Sequence, residues 1–275
     1  MDLEAPWGRY QPRGWGRFWL RVARGLPTGR LWSRWALLAR RLARLGLSGP
    51  VDTSLWGFRL RLAARGGVSE GRILFLPQFW DVDERDGLAD VVREGTTFVD
   101  VGANVGGYTF WAASRVGPAG RIVAIEATPD LADQLRFNVD QNGADGYIVV
   151  CAVAVADREG ETELVLHEHN PGENRLASVA GPPGRGRVSV PAKTLAGILE
   201  GAGVGNVDVM KIDVEGAERT VLDPFFRTVP FGAWPSFLMV EAKKDRPDLI
   251  DWLEGRGYAL IRRTRLNAIL RRLRS

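Results

Sequence analysis

The residues best suited to chemistry cluster at a few strand ends. The first cluster is Phe98-Val99-Asp100-Val101-Gly102-Ala103-Asn104-Val105-Gly106-Gly107-Tyr108-Thr109. Its apolar start reads as a strand and its glycines as the following turn, where an open parallel sheet binds ligands beyond its strand ends. The spacing is G-x-x-x-G-G, not the G-x-G-x-x-G that lets backbone press against a pyrophosphate. A carboxylate at the strand's end, Asp100, would repel a diphosphate and suit a cation. That favours S-adenosylmethionine, with its sulfonium and ammonium, over NAD. Twenty residues after Gly106 stands Glu126 in Val-Ala-Ile-Glu-Ala, where an acid can accept both ribose hydroxyls of an adenosine. Cys151-Ala152-Val153, after a third strand, would supply backbone and small side chains near an adenine. The candidate donor set is therefore Asp100, Gly102, Ala103, Asn104, Gly106, Thr109, Glu126, Ala127, Ala152, Val153 and Asp213.

Methyl transfer from a sulfonium is an in-line displacement that releases a neutral thioether, so the enzyme must align the acceptor and exclude water. An alcohol becomes a good nucleophile only as its proton is accepted, so a carboxylate or histidine within reach is expected. Asp213, just beyond a fourth strand, is the first choice. Glu215 follows in the next turn and Glu241 ends a neighbouring strand, so three acids could converge at one edge. No metal is assigned, although the same convergence would suit a divalent cation. Lys211 would pair with one of these acids or meet substrate. His167 and His169 share one face of a strand, and His167 is placed at the acceptor mouth. Asn174 and Ser178 are weaker candidates from the loop 170–186.

These residues need a framework of alternating strands and helices. Strands are expected at 98–101, 121–125, 147–155, 162–167, 188–191, 207–212, 237–241 and 259–262. Helices are expected at 105–116, 129–142, 195–199, 217–226 and 247–256. The alternation predicts an α/β, doubly wound Rossmann-like fold on a mostly parallel seven-stranded sheet. Ahead of it, residues 53–94 read as a lead-in hairpin or cap and residues 95–275 as the catalytic domain. Residues 1–52 read as a basic helical extension: Leu31, Trp35, Leu38, Leu42 and Leu45 recur at helical spacing, with Arg30, Arg34, Arg41 and Arg44 on another side.

Charge is partitioned along the 275 residues. The chain totals +4, but residues 1–50 carry ten Arg against Asp2 and Glu4, for +8, and residues 256–275 carry seven Arg and no acid, for +7. The stretch between them is −11. Five of the ten Trp fall in the first 35 positions. Leu266, Ile269, Leu270 and Leu273 suggest that the basic tail is a second amphipathic helix. Two such ends could lie on an anionic membrane, cap the acceptor site or meet a second copy of the chain, whereas a nucleic-acid partner is not expected. No run of apolar residues is long enough to span a bilayer, and the N-terminus lacks the order of a secretory signal. The single cysteine excludes an intramolecular disulfide, so a cytoplasmic chain is expected, with a peripheral position at the inner membrane face as an option.

The motifs Val-Asp-Val-Gly-Ala-Asn-Val-Gly, Ile-Glu-Ala-Thr-Pro and Met210-Lys211-Ile212-Asp213-Val214-Glu215-Gly216-Ala217-Glu218 occur in that order. Together they make residues 80–262 resemble the FkbM family of S-adenosylmethionine-dependent methyltransferases. The resemblance implies that Asp100, Gly102, Asn104, Gly106 and Glu126 hold the donor. It also implies O-methylation of a hydroxyl on a glycan, glycolipid or secondary metabolite. Two departures stand out: Ala196 follows Thr194-Leu195 where the family usually has an acid, and Ala127 follows Glu126 where proline is common. The alternative is a noncatalytic membrane-surface or scaffold protein that keeps the fold.

Overall fold

The structure, a computed structural model, describes residues 1–167, 170, 172, 174–179, 184–242 and 248–273. The central sheet is built from short apolar runs: β3 (Thr97–Val101), β4 (Arg121–Ile125), β5 (Ile148–Cys151), β10 (Val209–Ile212) and β11 (Phe237–Glu241). Such runs suit strands covered on both faces. With β12 (Tyr258–Arg263) and β13 (Asn267–Arg272) they form seven strands in the order β12-β13-β11-β10-β3-β4-β5, and only β13 runs antiparallel to its neighbours. The strand order turns outward in both directions from β3, so the crevice beyond β3 and β10 is the expected ligand position.

Strand alternation divides the core into two layers. Phe98, Ile122 and Val209 point to one layer, with α5 (Gly107–Val116) and α6 (Pro129–Asp140). Val99, Val123 and Met210 point to the other, with α7 (Leu195–Gly201), α8 (Glu218–Thr228) and α9 (Asp248–Glu254). The stretch read as one strand over 147–155 breaks at Ala152-Val153. The chain then leaves the main sheet for a separate four-stranded one of β6 (Ala154–Val155), β7 (Gly160–Leu166), β8 (Arg175–Leu176) and β9 (Gly186–Lys193).

The tail is not the amphipathic helix its spacing suggested. Residues 267–272 are β13, inserted between β11 and β12, with Ala268, Ile269 and Leu270 all buried. An apolar triplet suits a strand covered on both faces and flanked on both edges better than a one-sided helix. The tail's charge is also engaged: Arg272 donates to the carbonyls of Phe231 and Trp234, and Arg262 to that of Asp83.

The N-terminal region forms a helical pair, α1 (Gly14–Gly25) and α2 (Arg30–Leu45), and then a hairpin of β1 (Pro50–Leu55) and β2 (Phe58–Ala63). β1 crosses the expected boundary at residue 52. The helices approach closely: a Cβ on Gly46 would fall 2.8 Å from the Gly16 nitrogen. Small residues make this close approach, and on α2 Ala36, Ala39 and Ala43 are buried while the Leu31/Trp35/Leu38/Leu45 stripe is left exposed. In the hairpin, Asp52 and Arg61 are register partners and a fully buried ion pair at 2.7 Å. Arg61 also donates to the carbonyls of Ala5 and Pro6, which ties the first residues down. The lead-in continues as α3 (Val68–Phe75), a 3-10 turn (Pro77–Phe79) and α4 (Val82–Leu88). Ile73, Leu74 and Phe75 enter the same core layer as Phe98 and Phe110. Among the described residues, no helix is long and apolar enough to cross a membrane.

Candidate active site

The site forms at the C-terminal ends of β3, β4 and β10. Parallel register places Lys211 of β10 beside Asp100 of β3, and both side chains are buried with Nζ and Oδ1 3.2 Å apart. Lys211 Nζ spends its hydrogen bonds on the carbonyls of Gly102 (2.7 Å) and Val101 (3.3 Å). Burial pulls its pKa down, but the Asp100, Asp213 and Glu126 carboxylates outweigh that, so it stays above the ordinary lysine value. The other Asp100 oxygen accepts from the Thr109 hydroxyl at 2.7 Å. Asp100, Thr109 and Lys211 thus make a buried polar foundation under the glycine turn.

The turn itself demands glycine. Gly102 has φ +74°, and a Cβ there would lie 2.0 Å from the Asp213 carbonyl oxygen, so no side chain fits between the two strand ends. Gly106 has φ +89° and caps the start of α5. Its Cα faces Phe110 and Leu135, where a Cβ would collide with both rather than reach a ligand. Asn104, at φ +53°, is one of the non-glycine residues held in the left-handed region.

Glu126 clamps this turn to the next helix. One of its carboxylate oxygens accepts from Asn104 N–H at 2.8 Å and the other from Thr128 N–H at 2.7 Å. Burial raises its pKa above the ordinary glutamate value, and the two N–H bonds only partly oppose that. Each oxygen keeps acceptor capacity for a second donor.

Above these residues opens a cavity of about 480 Å³, a volume typical of small-molecule sites. From the candidate donor set, Gly102, Ala103, Asn104, Glu126, Ala127, Val153 and Asp213 line it. Asp100, Gly106, Thr109 and Ala152 do not: the first three lie beneath the turn or face the core, and Ala152 lies at the break after β5. At the other edge, Asp213, Glu215 and Glu241 bring one carboxylate oxygen each within 4.8 Å of the others. Glu215 is held there by a left-handed backbone, φ +51°. His167 does not line the cavity; its Nδ1 accepts from Asn170 N–H at 3.1 Å. Asn174 does line it and donates to the Thr128 hydroxyl, whereas Ser178 is exposed outside it. His169 lies outside the described residues.

Sequence reasoning passed over the cavity's remaining wall, which the lead-in supplies through Val68, Ser69, Arg72, Trp80 and Asp81, with Tyr108 of α5 beside it. Asp81 sits in a left-handed conformation, φ +41°, paired with Arg72 at 3.1 Å and accepting from the Tyr108 hydroxyl at 3.2 Å. Burial raises the Asp81 carboxyl and, with Asp81 and Glu84 nearby, holds the Tyr108 phenol well above its ordinary value. Tyr108 was visible inside the glycine motif. Nothing in the local pattern marked Asp81, because its neighbours come from other elements. Among the described residues, the cavity wall carries five carboxylates (Asp81, Glu126, Asp213, Glu215, Glu241) against three cations (Arg72, Arg175, Lys211). A cavity of that balance favours a cationic ligand.

No curated protein matches the chain in sequence. Similar solved structures include a precorrin-6y C5,15-methyltransferase from Geobacter metallireducens GS-15, with 14% identity and a TM-score of 0.43, covering 70% of this chain and 88% of that one. A SAM-dependent O-methyltransferase from Thermotoga maritima shows 11% identity and a TM-score of 0.46, covering 86% of this chain and 82% of that one. TYW2 from M. jannaschii, solved in complex with AdoMet, shows 13% identity and a TM-score of 0.43, covering 83% of this chain and 89% of that one. Likeness this distant identifies no acceptor. Residues 100–260, by contrast, match the model of the methyltransferase FkbM domain. The match takes in the glycine turn and the acid block after β10 and spans more than half of the chain, which belongs to the FkbM family of S-adenosylmethionine-dependent methyltransferases.

Proposed function

We propose that this methyltransferase acts on oxygen, at a hydroxyl of a glycan, glycolipid or other hydroxylated metabolite. The observation that carries the reading is the placement of the acid edge. Asp213 packs its backbone against Gly102 of the donor turn and presents its side chain, 43% exposed, to the same cavity.

The residues present fit the donor. Glu126 keeps free acceptor capacity for two vicinal hydroxyls, and Ala127 and Val153 offer small apolar contacts for an adenine. The missing Cβ of Gly102 lets the Asp213 backbone close against the turn, and the acid-rich wall suits a cation. When bound, S-adenosylmethionine supplies an electrophilic methyl whose departure from sulfur needs no general acid. What the protein must add is position and proton acceptance. Asp213 accepts the proton of the acceptor hydroxyl as its oxygen bonds to carbon, and Glu215 and Glu241 orient the hydroxyl or hold the proton nearby. Ser69, Arg72, Asn170 and Asn267 also line the cavity and suit a polyhydroxylated acceptor through hydrogen bonds.

The test is to incubate the purified protein with donor carrying a deuterated methyl and a panel of hydroxylated metabolites. Mass spectrometry and NMR should show one labelled methoxy group. Transfer to nitrogen or carbon would contradict the oxygen assignment. If the folded protein binds neither donor nor S-adenosylhomocysteine by calorimetry, the noncatalytic reading replaces it.

A further inference from the structure

We propose that the outer face of the α1–α2 pair is a docking surface for an anionic lipid bilayer. On α2 the residues turned away from the body are large and apolar. Leu31 and Leu45 are 76% exposed, Trp35 58% and Leu38 45%, along a stripe about 20 Å long at 1.5 Å per residue. On α1, Trp15 and Phe18 are 56% and 58% exposed. The Trp15 indole N–H donates to the Leu42 carbonyl at 2.9 Å, which joins the aromatic surface of one helix to the leucine stripe of the other. Large apolar groups collected on one face mark an interaction site rather than ordinary surface scatter.

Charge decides what that site fits. No aspartate or glutamate occurs between Glu4 and Asp52, while Arg17, Arg21, Arg34 and Arg41 are exposed around the stripe. Beside it, Arg40, Arg41, Arg44 and Arg65 line a shallow depression of about 410 Å³ with Leu37 and Leu45. Among the described residues none of these four guanidiniums has a carboxylate partner. Burial lowers the Arg40 pKa, and the neighbouring positive charges of Arg44 and Arg72 add to that. A bilayer with anionic headgroups answers both halves of the surface: phosphates meet the arginines, and Trp and Leu enter the boundary between headgroups and acyl chains. A second copy of this chain would bring arginine against arginine, and a nucleic acid would leave the leucines in water.

The surface adjoins the cavity. Arg65 lies three residues before Val68, which is 58% exposed and lines the cavity's rim, and Arg40 packs over Gly71 of α3. Docking would therefore hold Val68 and the α3 edge of the cavity close to the bilayer surface. The proposal stands independently of the acceptor's identity, and its test involves no turnover.

The full-length protein is sedimented with vesicles of phosphatidylcholine alone or mixed with phosphatidylglycerol. The expected result is recovery with the anionic vesicles at low salt and binding about tenfold or more weaker to phosphatidylcholine alone. Arg41→Glu with Arg44→Glu, and separately Trp35→Ser with Leu38→Ser, should each weaken that binding by about tenfold or more. Calorimetric affinity for S-adenosylhomocysteine should stay at the wild-type value in both, which reports an intact fold. Wild-type protein that remains in the supernatant at low salt overturns the proposal, as does charge-reversed protein that binds like wild type. Displacement by inorganic phosphate beyond that by sodium chloride of equal ionic strength would mark a free-anion site instead. Loss of a dimer in the Trp35→Ser/Leu38→Ser variant, without vesicle binding by the wild type, would mark a contact between copies.

Discussion

At the scale of single residues, Asp213 and Glu126 divide the work, and their variants should separate it. Asp213→Asn keeps the shape but cannot take a proton, so kcat should fall by about 10²- to 10⁴-fold while the calorimetric affinity for S-adenosylhomocysteine is retained. Glu126→Gln should do the reverse: hydrogen bonds to a charged acceptor contribute about 1.5–3 kcal/mol each, so product affinity should drop by roughly tenfold or more. Glu126 also sets a pH signature. Its carboxyl titrates above the ordinary glutamate value because it is buried, and only the ionised form accepts from two hydroxyls. Product affinity should therefore decline on acidification at a higher pH than an exposed glutamate would give, and Glu126→Gln should flatten that limb. For stability the sign is opposite: the folded state favours the protonated carboxyl, and that contribution is lost as pH rises through the elevated pKa. Asp100 shows where reading the chain ran out. Its position at a strand end was legible, but its partner Lys211 lies 111 residues away in another strand. Only the parallel register reveals that this carboxylate is spent on a buried ion pair and not on a ligand. Lys211→Met would strand it, with an expected loss of about 3–5 kcal/mol, read as a lowered denaturation midpoint.

At the scale of elements, legibility followed covering. The strands β3, β4, β10 and β11 and the helices that flank them stood out because continuous apolar runs and glycine punctuation are local signals. β13 did not, because Leu266, Ile269, Leu270 and Leu273 fit a helical stripe equally well. What decides it is the gap between β11 and β12, a property of the assembled sheet. The α1–α2 pair misled in the opposite way: the conspicuous leucine stripe is outside, the buried face is that of Ala36, Ala39 and Ala43, and the helices meet at Gly16 and Gly46, residues that draw little notice in a hydrophobicity pattern. The hairpin β1–β2 depends on a charge that such patterns also miss. Arg61 is enclosed between the rings of Tyr10 and Phe137, 4.9 and 4.5 Å from its guanidinium carbon. It pairs with Asp52, which also accepts from Gly8 N–H and Tyr10 N–H. Arg61→Met should leave that carboxylate buried without its cation, lowering stability by about 3–5 kcal/mol. Hydrogen exchange should localise the earliest loss of protection to residues 2–10 and the hairpin.

At the scale of the molecule, the partition of charge into basic ends and an acidic body does not correspond to a partition of folding units. The tail contributes β13 to the central sheet. The N-terminal region contributes Leu20, Ala43, Val51 and Leu60 to the same layer that holds Phe98, Phe110 and Leu135. A shared core of this kind predicts one cooperative transition, which a boundary near residue 52 would not. Tryptophan fluorescence can distinguish the two, because five of the ten Trp lie in the first 35 residues while far-UV circular dichroism reports the whole chain. S-adenosylhomocysteine binds only the folded cavity, and at about 100 times its dissociation constant it should add about 2.7 kcal/mol. If the core is continuous, the fluorescence and dichroism midpoints coincide without ligand and rise together with it. A fluorescence transition that precedes the other and ignores the ligand would show that the helical pair unfolds on its own, with its contacts to the lead-in too weak to couple it to the site.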